Sequence, residues 1–350
     1  MNAKLLTENE RINKRDSNFE LLRIILILMI IVLHYFNGKM GGLFNNVEKN
    51  TFIYYLSHFI EALCIVAVNV FIIITGYFSC KKTSIKISKP INLFILSVFY
   101  GITISIGVIF TTNIDINNSA INRIFTTSFS RWFVLIYCIL YLLIPYINKF
   151  IKSLTQKQYE ILLIINTIFF YIWPTIFTTT TIADNGYGIV NFINLYMIGA
   201  YIKIYKDKYI PKKISLIVYF ICTIITTGYS FFTGRAWNYT TIMNLVGSIA
   251  IFQLFKSIKI KNNKVINKLS TYTFSTYIIH ENTFLVTILY RNLFQSNNYW
   301  NNNWMIINLL ITVIGIYIIC VVIEFIRRLL LKRIIDDVVE EKIKNEICCL

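Results

Sequence analysis

Charge is scarce in this 350-residue chain. Asp, Glu, Lys and Arg make up 15% of it, against roughly 25% in a soluble domain. No Cys-x-x-Cys and no Cys/His metal spacing occurs among its seven cysteines: Cys64, Cys80, Cys138, Cys222, Cys320, Cys348 and Cys349. Four of these lie inside apolar runs, so inert thiols are expected, with neither disulfides nor metal. The first apolar run is not expected to be a cleaved signal peptide either. It carries Glu20 and Arg23, and no small-residue cleavage site follows it.

Apolar residues make up 56% of the chain and aromatics 16%, with a mean hydropathy of +0.61. A soluble protein of this size cannot hide that much apolar surface, and disorder is excluded for the same reason. The class that remains is a polytopic membrane protein.

Runs long enough to cross a bilayer fall near residues 19–36, 52–78, 91–111, 132–150, 160–178, 189–205, 212–233, 239–256, 270–290 and 304–326. Pro174 interrupts the fifth, and the sixth is short. Basic residues test this division. With the N-terminus inside, 27 of the 34 Lys and Arg residues fall on inside segments and six outside, with Arg23 in the first span. That bias is what the positive-inside rule requires. It accounts for the net charge of +17 without nucleic acid. The expected fold is an all-α membrane bundle of about ten transmembrane helices with both termini cytoplasmic. Residues 1–335 are read as one membrane domain and 336–350 as a short cytoplasmic tail. Outside loops are short and rich in Asn, Thr and Ser, and no soluble catalytic domain is expected at either end. The chemistry then belongs inside the bundle.

Ionisable groups inside a membrane are costly, so each is a functional candidate. The first helix holds Arg23 and His34. Eleven residues at about 100° each bring the two side chains to one face, roughly 16 Å apart along the axis. Arg23 has a second reading, as a partner of Glu20 or a snorkelling residue. The second helix holds His58 and Glu61 on one face, with Asn69 deeper. A short loop joins the two helices, so Glu61 can approach His34. Otherwise Glu61 is interfacial and solvated. The ninth run holds His280 and Glu281. All three histidines thus fall in expected spans, which favours a shared polar interior.

The spacing Arg-x10-His in NFELLRIILILMIIVLHYF resembles the opening motif of the acyltransferase-3 family, bacterial membrane O-acyltransferases of surface polysaccharides. Four further segments agree, in order. VNVFIIITGYF at 68–78 is similar to an apolar motif ending in Ser-Gly-Tyr, with Thr75 for the Ser. RWFVLIYCILYLLIPYINK at 131–149 is similar to a Trp-Phe…Tyr-Leu-x-x-Pro helix. LYMIGAYIKIY at 195–205 resembles a Gly-Ala-Tyr-Ile segment. FSTYIIHEN at 274–282 resembles a Tyr-x-x-His-Asp-Asn motif, with Glu281 for Asp. Two departures stand out. Lys86 and Lys89 occupy the place of an Arg-x-x-Arg pair, and the hydrolase-like outer domain of many members is not expected within these 350 residues.

The resemblance implies acyl transfer, usually of acetyl, in the bacterial plasma membrane. The donor is cytoplasmic acyl-CoA, a substrate and not a resident cofactor. The acceptor is a sugar hydroxyl of a surface glycan or lipid-linked sugar. Arg23, Lys86 and Lys89 are expected to hold the phosphate-rich head. His34 is expected to act as general base or transient acyl carrier, assisted by Glu61 or His280. Tyr77, Trp132, Tyr141, Glu281 and Asn282 are expected to shape the substrate cavity. Lipids are the other expected partners. A transporter or lipid-linked sugar flippase also suits intramembrane His, Arg and Glu. The absence of evident repeats counts against it.

Overall fold

The first apolar run folds as α1, Ser17–Phe36. The Asp16 carbonyl accepts the amides of Phe19 and Glu20 at 3.0 and 3.1 Å, and Glu20 in the first turn suits the positive end of the helix. The second run forms α2, Phe52–Cys64, and α3, Ala67–Ser79, divided by a turn at Ile65–Val66. Thr51 caps α2 by accepting the Tyr54 amide at 3.2 Å. Strand β1, Ser84–Lys86, leads to α4, Ser88–Thr112, then α5, Asn118–Phe129, and α6, Trp132–Ser153. Helix α7, Gln156–Thr167, begins with a capping box of Thr155 and Gln158. Beyond these lie α8, Ile189–Tyr205, α9, Lys212–Ser230, α10, Ile242–Ser257, α11, Lys264–Leu269, α12, Thr273–His280, and α13, Met305–Lys332. This computed structural model describes residues 15–112, 115, 117–177, 184–207, 209–332 and 346–348. Lys4, Arg11, Lys14, Lys208, Arg333, Lys342, Lys344, Cys349 and most of the expected tail lie outside the described residues.

The bundle is all-α and polytopic. Among the described residues seven helical segments are long and apolar enough to cross a membrane, by length and composition. The other expected spans are shorter: α8 has 17 residues, α10 has 16 and α12 only eight.

Three boundaries differ from expectation. The run at 270–290 is not one helix. Asn282 Oδ1 accepts the amides of Phe284 and Leu285 at 3.0 and 3.3 Å, capping a new turn and ending α12. The fifth run widens into a π turn at Ile168–Ile172 before Pro174, which lacks the amide an α-helix would bond back. The last run continues past 326 to Lys332. There Arg327 and Arg328 pair with the buried Glu324 at 2.9 and 2.6 Å, and Tyr100 Oη donates to Glu324 at 2.6 Å. Arg327 and Arg328, just beyond the expected span, thus belong to the helix.

Close packing sets the helix faces. A Cβ on Gly76 would lie 2.1 Å from the Tyr196 carbonyl oxygen, and one on Gly199 would lie 2.2 Å from that of Ile73. The α3 and α8 backbones therefore touch, as small residues permit in membrane bundles.

The connecting segments gather at two ends. At one, Asn18 donates to Phe255 O, Ser17 to Asn267, and Asp207 meets Tyr77, Lys203 and Lys256. This basic end holds the Lys-rich segments. Strand β2, Glu346–Cys348, pairs antiparallel with β1, with Ile347 opposite Ile85. At the other end Trp300 donates to Gly41 O, Asn238 to Asn185, and Arg123 to Thr283 O.

Candidate active site

A cavity of about 550 Å³ follows α1 from Arg23 to Asn37 and Gly38. Its floor on α1 is the stripe Arg23, Ile27, Ile30 and His34, spaced four, three and four residues apart on one face. Arg23 and His34 thus line one cavity, on one face of α1. Glu61 from α2, Thr75 from α3, Trp132 and Tyr137 from α6, and Thr273, Tyr277 and Glu281 complete much of the wall.

His34 does not pair with Glu61. Its Nδ1 lies 2.9 Å from Nε2 of His280, and the rings are 4.9 Å apart between centroids. His280 is fully buried behind His34 and bonds through its own Nδ1 to the Thr276 carbonyl at 2.6 Å. A carbonyl only accepts, so the His280 proton sits on Nδ1. With both rings neutral, His280 Nε2 then accepts from His34 Nδ1–H. The lone pair of His34 is left on Nε2. This assignment follows from the hydrogen-bond network.

Arg23 both pairs within its own helix, its Nη1 with Glu20 one turn back, and lines the cavity with its side chain. Glu20 also accepts from Arg15 at 3.1 Å and from Ser270. The arginine is therefore held in place and still faces the channel.

The remaining expected residues divide. Trp132 and Glu281 line the cavity; Tyr77, Tyr141 and Asn282 do not. Tyr77 Oη donates to Asp207 at 2.6 Å at the basic end. There Lys203 and Lys256 stand 4.7 and 5.7 Å from its ring centroid. Tyr141 is buried in the core of the bundle, and Asn282 is occupied in ending α12. Lys86 and Lys89 are exposed beside the bundle and are not among the cavity's lining residues. His58 turns from Glu61, and its Nδ1 lies 2.8 Å from Ser230 Oγ. The Ser230 hydroxyl itself donates to Thr227 O, so His58 Nδ1–H is the donor to Ser230.

Glu281 faces Arg131 at 3.9 Å. Arg131 was not singled out from the sequence, although it opens the RWFVLIYCILYLLIPYINK segment. Thr276 was missed too; its position four residues before His280 is the helical offset for a ring-to-carbonyl bond. Among the described residues no group of three or more His, Cys, Asp or Glu is placed to hold a metal ion.

The acyltransferase domain model Acyl_transf_3 matches residues 16–324. The chain belongs to the acyltransferase-3 family. Its matched region takes in every helix of the cavity wall. No curated protein and no solved structure matches it. As a member of that family, with seven membrane-length helices, the chain is a membrane acyltransferase.

Proposed function

We propose that this acyltransferase moves an acyl group, acetyl being the expected one, from acyl-CoA to a sugar hydroxyl of a surface or exported polysaccharide. It would work in a bacterial plasma membrane with the basic end cytoplasmic, as the bias of Lys and Arg supports. The observation that carries this reading is the His34–His280 pair, at 2.9 Å, in a cavity that extends from His34 to Arg23.

Arg23 is placed to meet a phosphate or pantetheine amide of the donor. The stripe between Arg23 and His34 is apolar and suits an extended arm. His34 Nε2 takes the proton of the acceptor hydroxyl as its oxygen attacks the thioester carbonyl carbon. The new C–O bond forms and the C–S bond breaks. CoA leaves as a thiolate, which takes the proton from His34. His280 acts through His34: it accepts from Nδ1–H, so it fixes the tautomer and steadies the imidazolium that forms, as the orienting carboxylate does in a catalytic triad. It is a positioning residue. Lys86 and Lys89 serve the incoming donor at the surface, as point charges.

Sealed vesicles carrying the protein, labelled acetyl-CoA and a glycan acceptor give the test. Label is expected in alkali-labile ester on the glycan. Cells lacking the gene should lose glycan ester and keep the amount of polymer. Loss of polymer with unchanged ester content would overturn the reading in favour of transport.

A further inference from the structure

One group in the cavity wall has no part in the transfer step. Glu61 projects from α2 into the cavity. It is 8% exposed, and its Oε2 has no hydrogen-bond partner. Among the described residues no ion pair includes it. His34 is committed to His280, and His58, one turn back, to Ser230.

A buried carboxyl without a partner is costly, and buried polar atoms are rarely left so. The other cavity carboxyl is different, because Glu281 has Arg131 beside it. Glu281 Oε2 also has no hydrogen bond, but it has that counter-charge; among the described residues Glu61 has neither a counter-charge nor a donor. A wall atom of this kind is satisfied when a ligand supplies the donor. The same cavity offers aromatic surface. Trp132 stands 4.8 Å from Tyr187 and is stacked on Tyr239 at 6.1 Å between ring centroids, and all three line the space. Aromatic faces with a few placed polar groups make a site for a ring that is apolar on its faces and polar on its edge.

Resting on the acyl-transfer reading above, we infer that Glu61 selects the acceptor. Its carboxyl takes a hydrogen bond from a hydroxyl or ammonium group on a neutral or amino sugar. It excludes sugars that place a carboxylate or phosphate at that position. An acidic group there offers no donor proton to the Glu61 carboxyl, so discrimination comes from the hydrogen bond that is not made.

The experiment uses vesicles with the full chain, labelled acetyl-CoA and three soluble acceptors. These are oligosaccharides of N-acetylglucosamine, of glucosamine and of galacturonic acid. The wild-type protein should use at least one of the first two about tenfold better in kcat/KM than the third. Glu61→Gln should raise the KM of the preferred sugar several-fold and narrow that preference. Its KM for acetyl-CoA should stay within about twofold, which separates lost recognition from a damaged protein. Equal use of the galacturonic acid oligosaccharide by the wild type overturns the inference. So does an unaltered preference in Glu61→Gln. Transfer to none of the three sugars overturns the acyl-transfer reading itself, and this inference with it.

Discussion

His34 and His280 lie 246 positions apart in the chain and meet at 2.9 Å between Nδ1 and Nε2. The second histidine is anchored by the Thr276 carbonyl, so the pair has a direction. Protons are donated toward Thr276, and the free lone pair points away from it, at His34 Nε2.

Removing His34 removes the base. His34→Ala should lower acyl transfer by roughly 10²–10⁴-fold while the protein still accumulates in membranes. Ester formation from labelled acetyl-CoA in vesicles measures the first, and quantitative blotting the second. Near-normal turnover would remove His34 from the chemistry.

His280 should act on kcat and not on substrate KM. His280→Ala leaves the His34 ring free to turn, and a misplaced base costs up to about a hundredfold. His280→Gln restores a side-chain oxygen that can accept from His34 Nδ1–H, so it should recover part of the loss. A purely packing role predicts no difference between Gln and another side chain of similar volume, such as Met. The kcat values of the three variants decide between them.

At the other end of the cavity, Arg23→Ala should raise the KM for acetyl-CoA more than Lys86→Ala combined with Lys89→Ala. Only Arg23 of the three lines the cavity. Membrane insertion should be preserved, because removing a charge from an apolar span eases insertion. A greater KM effect in the double lysine variant would move the donor's main anchor to the surface.

Asp207 offers a pH-dependent contact outside the spans. Partial burial raises its pKa, but hydrogen bonds from Tyr77, Lys203 and Lys256 outweigh this and hold the carboxyl at about 2. That lies below the unfolded value of roughly 3.9. Its contribution is therefore complete above the unfolded value and disappears as the pH falls through about 2. Solvent screens this half-exposed group, so Asp207→Asn should lower the Tm in detergent by only about 1–3 °C near neutrality. The two proteins should converge in acid. A constant difference across the titration would count against the linkage.

Packing of α3 on α8 should tolerate no added atom. In Gly76→Ala the new methyl meets the Tyr196 carbonyl oxygen, which is backbone and cannot turn aside. Overpacking of this kind costs about 1–3 kcal/mol, so the variant should show a lower Tm and poorer accumulation. A Tm equal to that of the wild type would mean the two helices do not touch there.

Long apolar runs and the placement of Lys and Arg made the all-α membrane bundle legible in the sequence, because a bilayer imposes length and charge rules on each segment alone. Helical periodicity likewise placed Arg23 and His34 on one face, and Glu20 within reach of Arg23. These are relations within one helix, where 1.5 Å per residue and 3.6 residues per turn leave little choice. Relations between helices were another matter. The sequence leaves Glu61 and His280 both open as partners of His34, and the tertiary structure pairs it with His280. Glu61 was left without a partner, and Tyr77, expected in the cavity, bonds Asp207 at the basic end. The run at 270–290 looked continuous, but Asn282 satisfies two amides of the next turn and ends the helix. Periodicity specifies which residues share a face and not which face meets which. That was decided by backbone contacts such as Gly76 against Tyr196 and Gly199 against Ile73, which depend on the shapes of all the helices packed together.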